Sequence, residues 1–64
     1  MRKENIFTYS DVETIVLALM GRAMDERAAA EKARKCGDAQ FGEYHEAQEN
    51  DCRRLIEKIR AFVI

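Results

Sequence analysis

A single histidine beside two acidic side chains is the part of this sequence whose residue types could hold a metal ion. His45 is followed by Glu46 and Glu49 in a stretch patterned as a helix. Carboxylate-bridged di-iron bundles need Glu-x-x-His on two helices, but Gly42 stands three residues before His45. The zinc motif His-Glu-x-x-His also fails, because Glu49 occupies the place of its second histidine. The sequence therefore predicts no metal site and no cofactor.

Cationic and aromatic side chains near the middle of the chain could instead bind a small anion. Arg27 and Arg34 would donate hydrogen bonds to the ligand, and Tyr44 would stack on it. The candidate pocket consists of Arg27, Arg34, Tyr44, His45 and Gln48. The alternative is a paired polar layer of Glu26, Arg27, His45 and Gln48 that fixes helix register and oligomeric state. Such layers are common in helical bundles, so we expect the structural role and keep the anion pocket as the alternative.

The two cysteines, Cys36 and Cys52, are the only candidates for redox chemistry. On two antiparallel helices they would lie roughly 20 Å apart along the axis, whereas a disulfide needs Cα atoms within about 7 Å. We expect reduced thiols, with Cys52 as a small core residue. No nucleophile stands with a neighbouring base, so the sequence predicts no catalytic residue and favours a non-enzymatic protein.

The basic side chains of the last third of the chain could contact phosphates. They are Arg53, Arg54, Lys58 and Arg60. On a helix these positions scatter over different sides, Asp51 and Glu57 are interleaved with them, and no aromatic platform accompanies them. The formal net charge of the whole chain is −1, whereas nucleic-acid binders carry a basic surplus. Nucleic-acid binding is therefore disfavoured, and a solvated charged face is the expected arrangement.

One Gly-Asp step divides the chain into two helix-patterned stretches. The 64 residues include no proline and only three glycines, a composition that suits long helices. Gly37 can take the left-handed conformation that ends a helix, and Asp38 can cap the next one. We predict an all-α fold, an antiparallel two-helix hairpin over residues 10–64 after a lead-in segment 1–9. Helix 1 is expected at about 11–36 and helix 2 at about 39–62.

Two residues could cap the first helix. Ser10 with Glu13 has the spacing of a capping box, in which each side chain satisfies the other residue's free backbone N–H. Thr8 is the alternative, with Phe7 and Val12 spaced as a hydrophobic staple. We favour Ser10 as the N-cap.

Apolar side chains at the open end of the hairpin surround both helices. On helix 2, a stripe of residues at three- and four-residue spacing is expected to pack against helix 1. Its members are Phe41, Tyr44, Gln48, Cys52, Leu55, Ile59 and Phe62. A second stripe remains uncovered by one neighbouring helix, and we predict it as an interface between subunits: Leu17, Met20, Met24, Ile56 and Val63. A helix that is apolar all round must be buried all round. The hairpin is therefore expected to dimerise into a four-helix bundle.

These patterns favour an interaction module among the possible functions. We expect a homo-oligomer, most simply a dimer, that binds or inhibits another protein through its surface. An oligomer that sequesters a small anion such as a nucleotide is the first alternative, and a nucleic-acid accessory protein is the second. The longest apolar run, residues 15–20, is too short to cross a bilayer. No signal peptide is apparent either, so we expect a cytoplasmic protein without a membrane partner.

Overall fold

A computed structural model describes the backbone of residues 7–63 and the side chains of residues 7–61. Within this range the chain forms two helices, α1 (Tyr9–Lys35) and α2 (Ala39–Val63), and no strand. The helices pack against each other along their length, joined by a turn of three residues. The predicted all-α two-helix hairpin is confirmed. The lead-in residues 1–6 lie outside the described range.

The turn is a helix C-cap followed at once by a helix N-cap. Gly37 has φ +83°, a conformation that costs residues with a side chain about 1–2 kcal/mol. The Asp38 amide donates to the Ala33 carbonyl at 2.8 Å and the Gly37 amide to the Arg34 carbonyl at 3.0 Å. These bonds form a Schellman motif, which satisfies the last carbonyls of α1. The Asp38 carboxylate then accepts from the Phe41 amide at 3.0 Å and caps α2.

The N-cap of α1 is Thr8, so the predicted cap at Ser10 is wrong. The Asp11 amide donates to Thr8 Oγ1, and the Thr8 amide donates to the Asp11 carboxylate, each at 3.0 Å. This is a capping box in which aspartate takes the usual place of glutamate. Ser10 lies inside the first turn, where its carbonyl accepts from the Thr14 hydroxyl at 3.0 Å. Starting at Thr8 extends the helix by two residues.

The hydrophobic core is narrow and changes along the hairpin. At the open end Val12, Val16 and Ile56 form a buried cluster, with Leu19 and Ile59 packed against it. Towards the turn the buried residues become small: Ala23, Ala30, Ala33 and Cys52. Gly42 is buried there as well, and a Cβ on it would lie 3.4 Å from the Ala30 carbonyl oxygen. Small residues thus allow the two helices to approach closely beside the turn.

The apolar stripe of α2 is rotated from its predicted orientation. Leu55 is 41% exposed, whereas the neighbouring Ile56 is 6% exposed and lies in the core cluster. Phe41 and Tyr44 are also exposed, although the periodicity placed them in the helix contact. Two helices touch along a strip narrower than the apolar arc of either helix. Ile56 takes the contact position, so it is not part of an outer stripe.

The hairpin is one layer of helix thick. Its smaller dimensions, measured over Cα atoms, are 19 and 13 Å, about the size of two adjacent helices. No large side chain within the described range is fully buried. A stable domain normally packs two layers around one core, so both broad sides of this layer are open to solvent. Neither helix has a described segment long and apolar enough to cross a membrane.

Candidate functional site

A polar layer joins the two helices midway along the hairpin. The Nδ1 atom of His45 lies 2.5 Å from Glu26 Oε1, and the two side chains are 18% and 15% exposed. Arg22 donates through Nε to the other Glu26 oxygen at 3.3 Å. Its Nη2 donates across the helix contact to Gln48 Oε1 at 3.4 Å. We call these four residues the polar layer; Arg22 takes the place predicted for Arg27, which lies beside Glu31 instead.

The charge of Glu26 is favoured by this arrangement. The hydrogen bond from His45 is the main cause that lowers the pKa of Glu26 below 4.5. Partial burial opposes this effect, and the Arg22 guanidinium adds to it. An ionised carboxylate only accepts hydrogen bonds, so Nδ1 of His45 must carry the hydrogen of the shared bond. The layer is therefore suited to a structural role, because both oxygens of the Glu26 carboxylate already accept hydrogen bonds.

The residues of the candidate anion pocket divide among separate contacts. His45 and Gln48 belong to the polar layer, whereas Arg34 donates to Glu46 at 2.6 Å on the other side of α2. That bond raises the pKa of Arg34. Arg27 lies 3.6 Å from Glu31 on the same helix, and both side chains are more than half exposed. The structure thus gives each arginine a carboxylate neighbour, and these contacts do not join the five predicted residues into one pocket.

The exposed aromatic residues of α2 form a cluster with the histidine. Phe41 and Tyr44 stack at 6.0 Å between ring centroids, with an interplanar angle of 14°. The His45 ring meets both rings nearly edge-on, at 4.6 Å from Phe41 and 5.2 Å from Tyr44. We call Phe41, Tyr44 and Leu55 the aromatic face. Leu55 lies on the same side of α2, since it follows Tyr44 by three helical turns.

Two open hollows adjoin the aromatic face at the turn. One has a volume of about 370 Å³ and is lined by Ala29, Lys32, Ala33, Cys36, Asp38 and Phe41. The other, about 320 Å³, is lined by Asp38, Gln40, Phe41 and Tyr44. Both aromatic rings were predicted in the contact between the helices. Gly42 was the sequence signal for their exposed position. When Gly42 faces α1, helical geometry places Phe41 and Tyr44 to one side of the helix contact.

The predicted subunit interface is exposed on α1, whereas its residue Ile56 on α2 is buried. Leu17 and Met24 are 62% and 66% exposed, and Met20 lies beside them, also exposed. Ile56 belongs to the hairpin core, and the side chain of Val63 lies outside the described range. The α1 part of that prediction therefore defines a second apolar surface, on the side of α1 that faces away from α2. Whether it contacts another subunit stays a prediction.

The remaining reactive groups do not form a chemical site. Cys36 is exposed at the turn and Cys52 is buried, and neither forms a disulfide. In the described part of the chain, no three His, Cys, Asp or Glu side chains are grouped so that they could hold a metal ion.

Comparisons with protein-family models, with curated proteins and with solved structures find no match to this chain. Two surfaces of the hairpin expose large apolar side chains: the aromatic face of α2, and the outward side of α1. They flank a hairpin whose core leaves both broad sides uncovered.

Proposed function

We propose that the protein is a small non-enzymatic interaction or inhibitor module that acts as a homo-oligomeric helical bundle, most simply a dimer. One observation carries the proposal: large apolar side chains are exposed on a fold only one helix layer thick. Soluble monomers seldom leave such contiguous apolar surface uncovered. Packing two hairpins covers apolar surface that a single hairpin leaves exposed.

The exposed area of the whole chain is large for its mass, which supports association. The chain exposes 5329 Å², whereas a compact monomer of its mass exposes about 4,200 Å². The excess of roughly 1,100 Å² compares with the about 800 Å² that each partner buries in a stable interface. The excess surface is therefore enough for one interface of ordinary size.

The aromatic face is suited to a second, heterologous protein. Tyrosine and tryptophan dominate binding energy at protein interfaces, mostly where partner side chains fill neighbouring hollows. Phe41 and Tyr44 stack on each other and contact the His45 ring, and hollows adjoin both of them. The polar layer then positions this cluster, because it fixes His45 against α1.

The observed contacts do not favour the anion-sequestering or nucleic-acid alternatives. Arg27 and Arg34 lie beside Glu31 and Glu46. On α2, Arg53 and Arg54 lie beside Glu49 and Asp51. A phosphate would have to displace these carboxylates. We therefore retain the interaction module as the proposed function.

Two measurements test it. Sedimentation equilibrium over roughly 1–100 µM protein should show a dimer, and a folded monomer throughout would contradict the proposal. Affinity capture should recover one stoichiometric protein partner with the native chain and lose it with Tyr44→Ser. Tyr9→Ser is the matched control, since Tyr9 is exposed at the opposite end of the hairpin. Equal capture by both variants would rule out the aromatic face as the binding surface.

A further inference from the structure

The outward side of α1 carries a short heptad seam. Leu17, Gly21, Met24 and Ala28 follow one another at spacings of four, three and four residues, and all four are exposed. This spacing keeps them on one line along the helix, nearly opposite the buried positions Val16, Ala23 and Ala30. We call these four residues the α1 seam. Its spacing is that of the contact line in coiled coils.

Large and small side chains alternate along the seam. Leu17 and Met24 are large, whereas Gly21 and Ala28 are small. A Cβ on Gly21 would meet no atom within 4 Å, so nothing within the hairpin requires a glycine there. Glycine inside a helix is about 0.5–1 kcal/mol less favourable than alanine. Gly21 therefore lowers the stability of α1, and packing within the hairpin does not explain why a glycine is there.

We propose that a second copy of this chain docks on the α1 seam, with the two α1 helices antiparallel and the two-fold axis passing between Arg22 and Ala23. In that register Leu17 faces Ala28 of the second copy, and Gly21 faces its Met24. Every large residue then meets a small one, as close packing between helices requires. A two-fold interface must be complementary to itself, and this sequence of four residues satisfies that condition. The inference rests on the proposed function and names its partner and geometry.

The charges at the ends of α1 select the antiparallel orientation. The first turn is acidic at Asp11, and the last turn is basic at Lys32, Arg34 and Lys35. Antiparallel pairing about this axis places Asp11 near Lys32 of the second copy. A parallel pair would bring like charges together at both ends, and would also align the helix dipoles unfavourably. Opposite charges therefore flank the apolar seam in one orientation only.

This arrangement leaves α2 on the outside of the dimer. The aromatic face lies on a flank of the hairpin, because Arg22 on that flank of α1 bonds Gln48 of α2. Docking through the α1 seam does not cover it. A dimer of this kind presents two copies of the aromatic face to a partner protein.

A residue swap tests the seam. Gly21→Met places two large side chains against each other and should raise the dimer dissociation constant by roughly 10- to 100-fold. The double variant Gly21→Met/Met24→Gly has the composition of the native chain and restores a large–small pair at each contact. It should return the dissociation constant to within about threefold of the native value, since each contact between the two copies again pairs a large residue with a small one. Sedimentation equilibrium measures both.

Control variants distinguish docking on the α1 seam from the broader proposal of a homo-oligomer. Methionine is a better helix former than glycine, so circular dichroism should show at least native helicity for Gly21→Met. Ala47→Met adds a methionine to the exposed side of α2 and should leave the dimer intact. A native chain that stays monomeric would overturn both proposals. An unchanged dimer in Gly21→Met, with dissociation by Leu55→Glu, would overturn the seam and leave the homo-oligomer standing.

The exposed Cys36 reports the orientation directly. With spin labels on Cys36 in a Cys52→Ala background, the antiparallel dimer should give a distance of about 40 Å between labels. The two-fold axis lies 13 to 14 residues from Cys36 on each chain, at 1.5 Å per residue. Parallel pairing would bring the labels within about 20 Å, since packed helices lie 8–10 Å apart. A distance in that short range would exclude the antiparallel seam.

Discussion

His45 Nδ1 lies 2.5 Å from Glu26 Oε1, and this contact links α1 to α2 at the middle of the hairpin. The same imidazole ring meets the Phe41 and Tyr44 rings edge-on. One side chain therefore connects the helix contact with the exposed aromatic cluster. A change in the polar layer is expected to alter both the stability of the hairpin and the orientation of its proposed binding surface.

Replacing Glu26 should weaken the dependence of stability on acid. The pKa of Glu26 is lowered in the folded chain, first by the His45 hydrogen bond, from an ordinary value of 4.5. Ionised Glu26 therefore stabilises the fold above about pH 4.5, and this contribution is lost as the pH falls through its folded-state pKa. Thermal melts at pH 7 and at lower pH should show a larger fall in Tm for the native chain than for Glu26→Gln.

Glu31→Gln is the control for that comparison. Glu31 also has an arginine neighbour, Arg27, but its side chain is 62% exposed. Exposed pairs of this kind contribute little to stability, so the melts of Glu31→Gln should follow those of the native chain at every pH. If Glu26→Gln did the same, the polar layer would have no part in acid sensitivity.

The identity of the N-cap can be measured by two alanine substitutions. Thr8→Ala removes the hydroxyl that accepts from the Asp11 amide and should lower the free energy of unfolding by about 1 kcal/mol. Ser10→Ala should leave it within about 0.5 kcal/mol, because Ser10 lies inside the first turn and alanine is a good helix former. Urea denaturation at fixed protein concentration distinguishes them. The reverse order would place the helix start at Ser10.

Neighbouring residues on α2 should respond very differently to truncation. Ile56→Ala opens a cavity against Val12 and Val16 and should cost about 2–4 kcal/mol. Leu55→Ala removes an exposed side chain and should cost less than about 1 kcal/mol. Equal losses would mean that α2 is rotated from the orientation described above.

Gly42 and Arg34 should show strong coupling. A Cβ on residue 42 would lie 2.9 Å from Arg34 Cγ, so Gly42→Ala must displace the side chain that bonds Glu46. The gain in helix propensity should then be offset in the native background. With Arg34→Ala already present, Gly42→Ala should stabilise by about 0.5–1 kcal/mol. A double-mutant cycle by urea denaturation gives the coupling, and additive effects would contradict the close approach.

The left-handed turn allows a comparison between glycines. Gly37→Val should lower the free energy of unfolding by about 1 kcal/mol or more, because a β-branched residue resists φ +83°. Gly21→Ala is the control, since its position is helical and open within the hairpin and alanine keeps a small residue opposite Met24 in the proposed seam. It should raise helix stability by about 0.5–1 kcal/mol. An unchanged Tm for Gly37→Val would show that the turn does not need its positive φ.

Local sequence signals predicted the helices and their turn well. Gly37 marks the end of one helix and Asp38 the beginning of the next. A tight turn between two helices is one of the few local structures that satisfy both signals. The first cap failed because Thr8-x-x-Asp11 and Ser10-x-x-Glu13 have the same spacing. They differ in the length of helix that follows, because the cap at Thr8 adds two residues, and a pattern of four residues does not contain that difference.

The orientation of α2 about its own axis was harder to predict. Leu55 and Ile56 are both large and apolar, and the three- and four-residue spacing accepts either of them as the contact residue. The choice depends on how closely the backbones approach, which Gly42 and Ala30 set some twenty ångströms away, at 1.5 Å per residue. The Glu26–His45 contact has the same origin, because helical periodicity locates each residue on its own helix but not its partner across the gap.

The thin core has a consequence for how long a single copy survives. With no large side chain of the described range fully enclosed, only a narrow strip of buried residues opposes the opening of an isolated hairpin. Proteases that cleave opened chains follow the population of the open form. Copies that find each other are withdrawn from that population by mass action. Turnover would then fall steeply as expression rises, so that the abundance of the protein sets its own half-life.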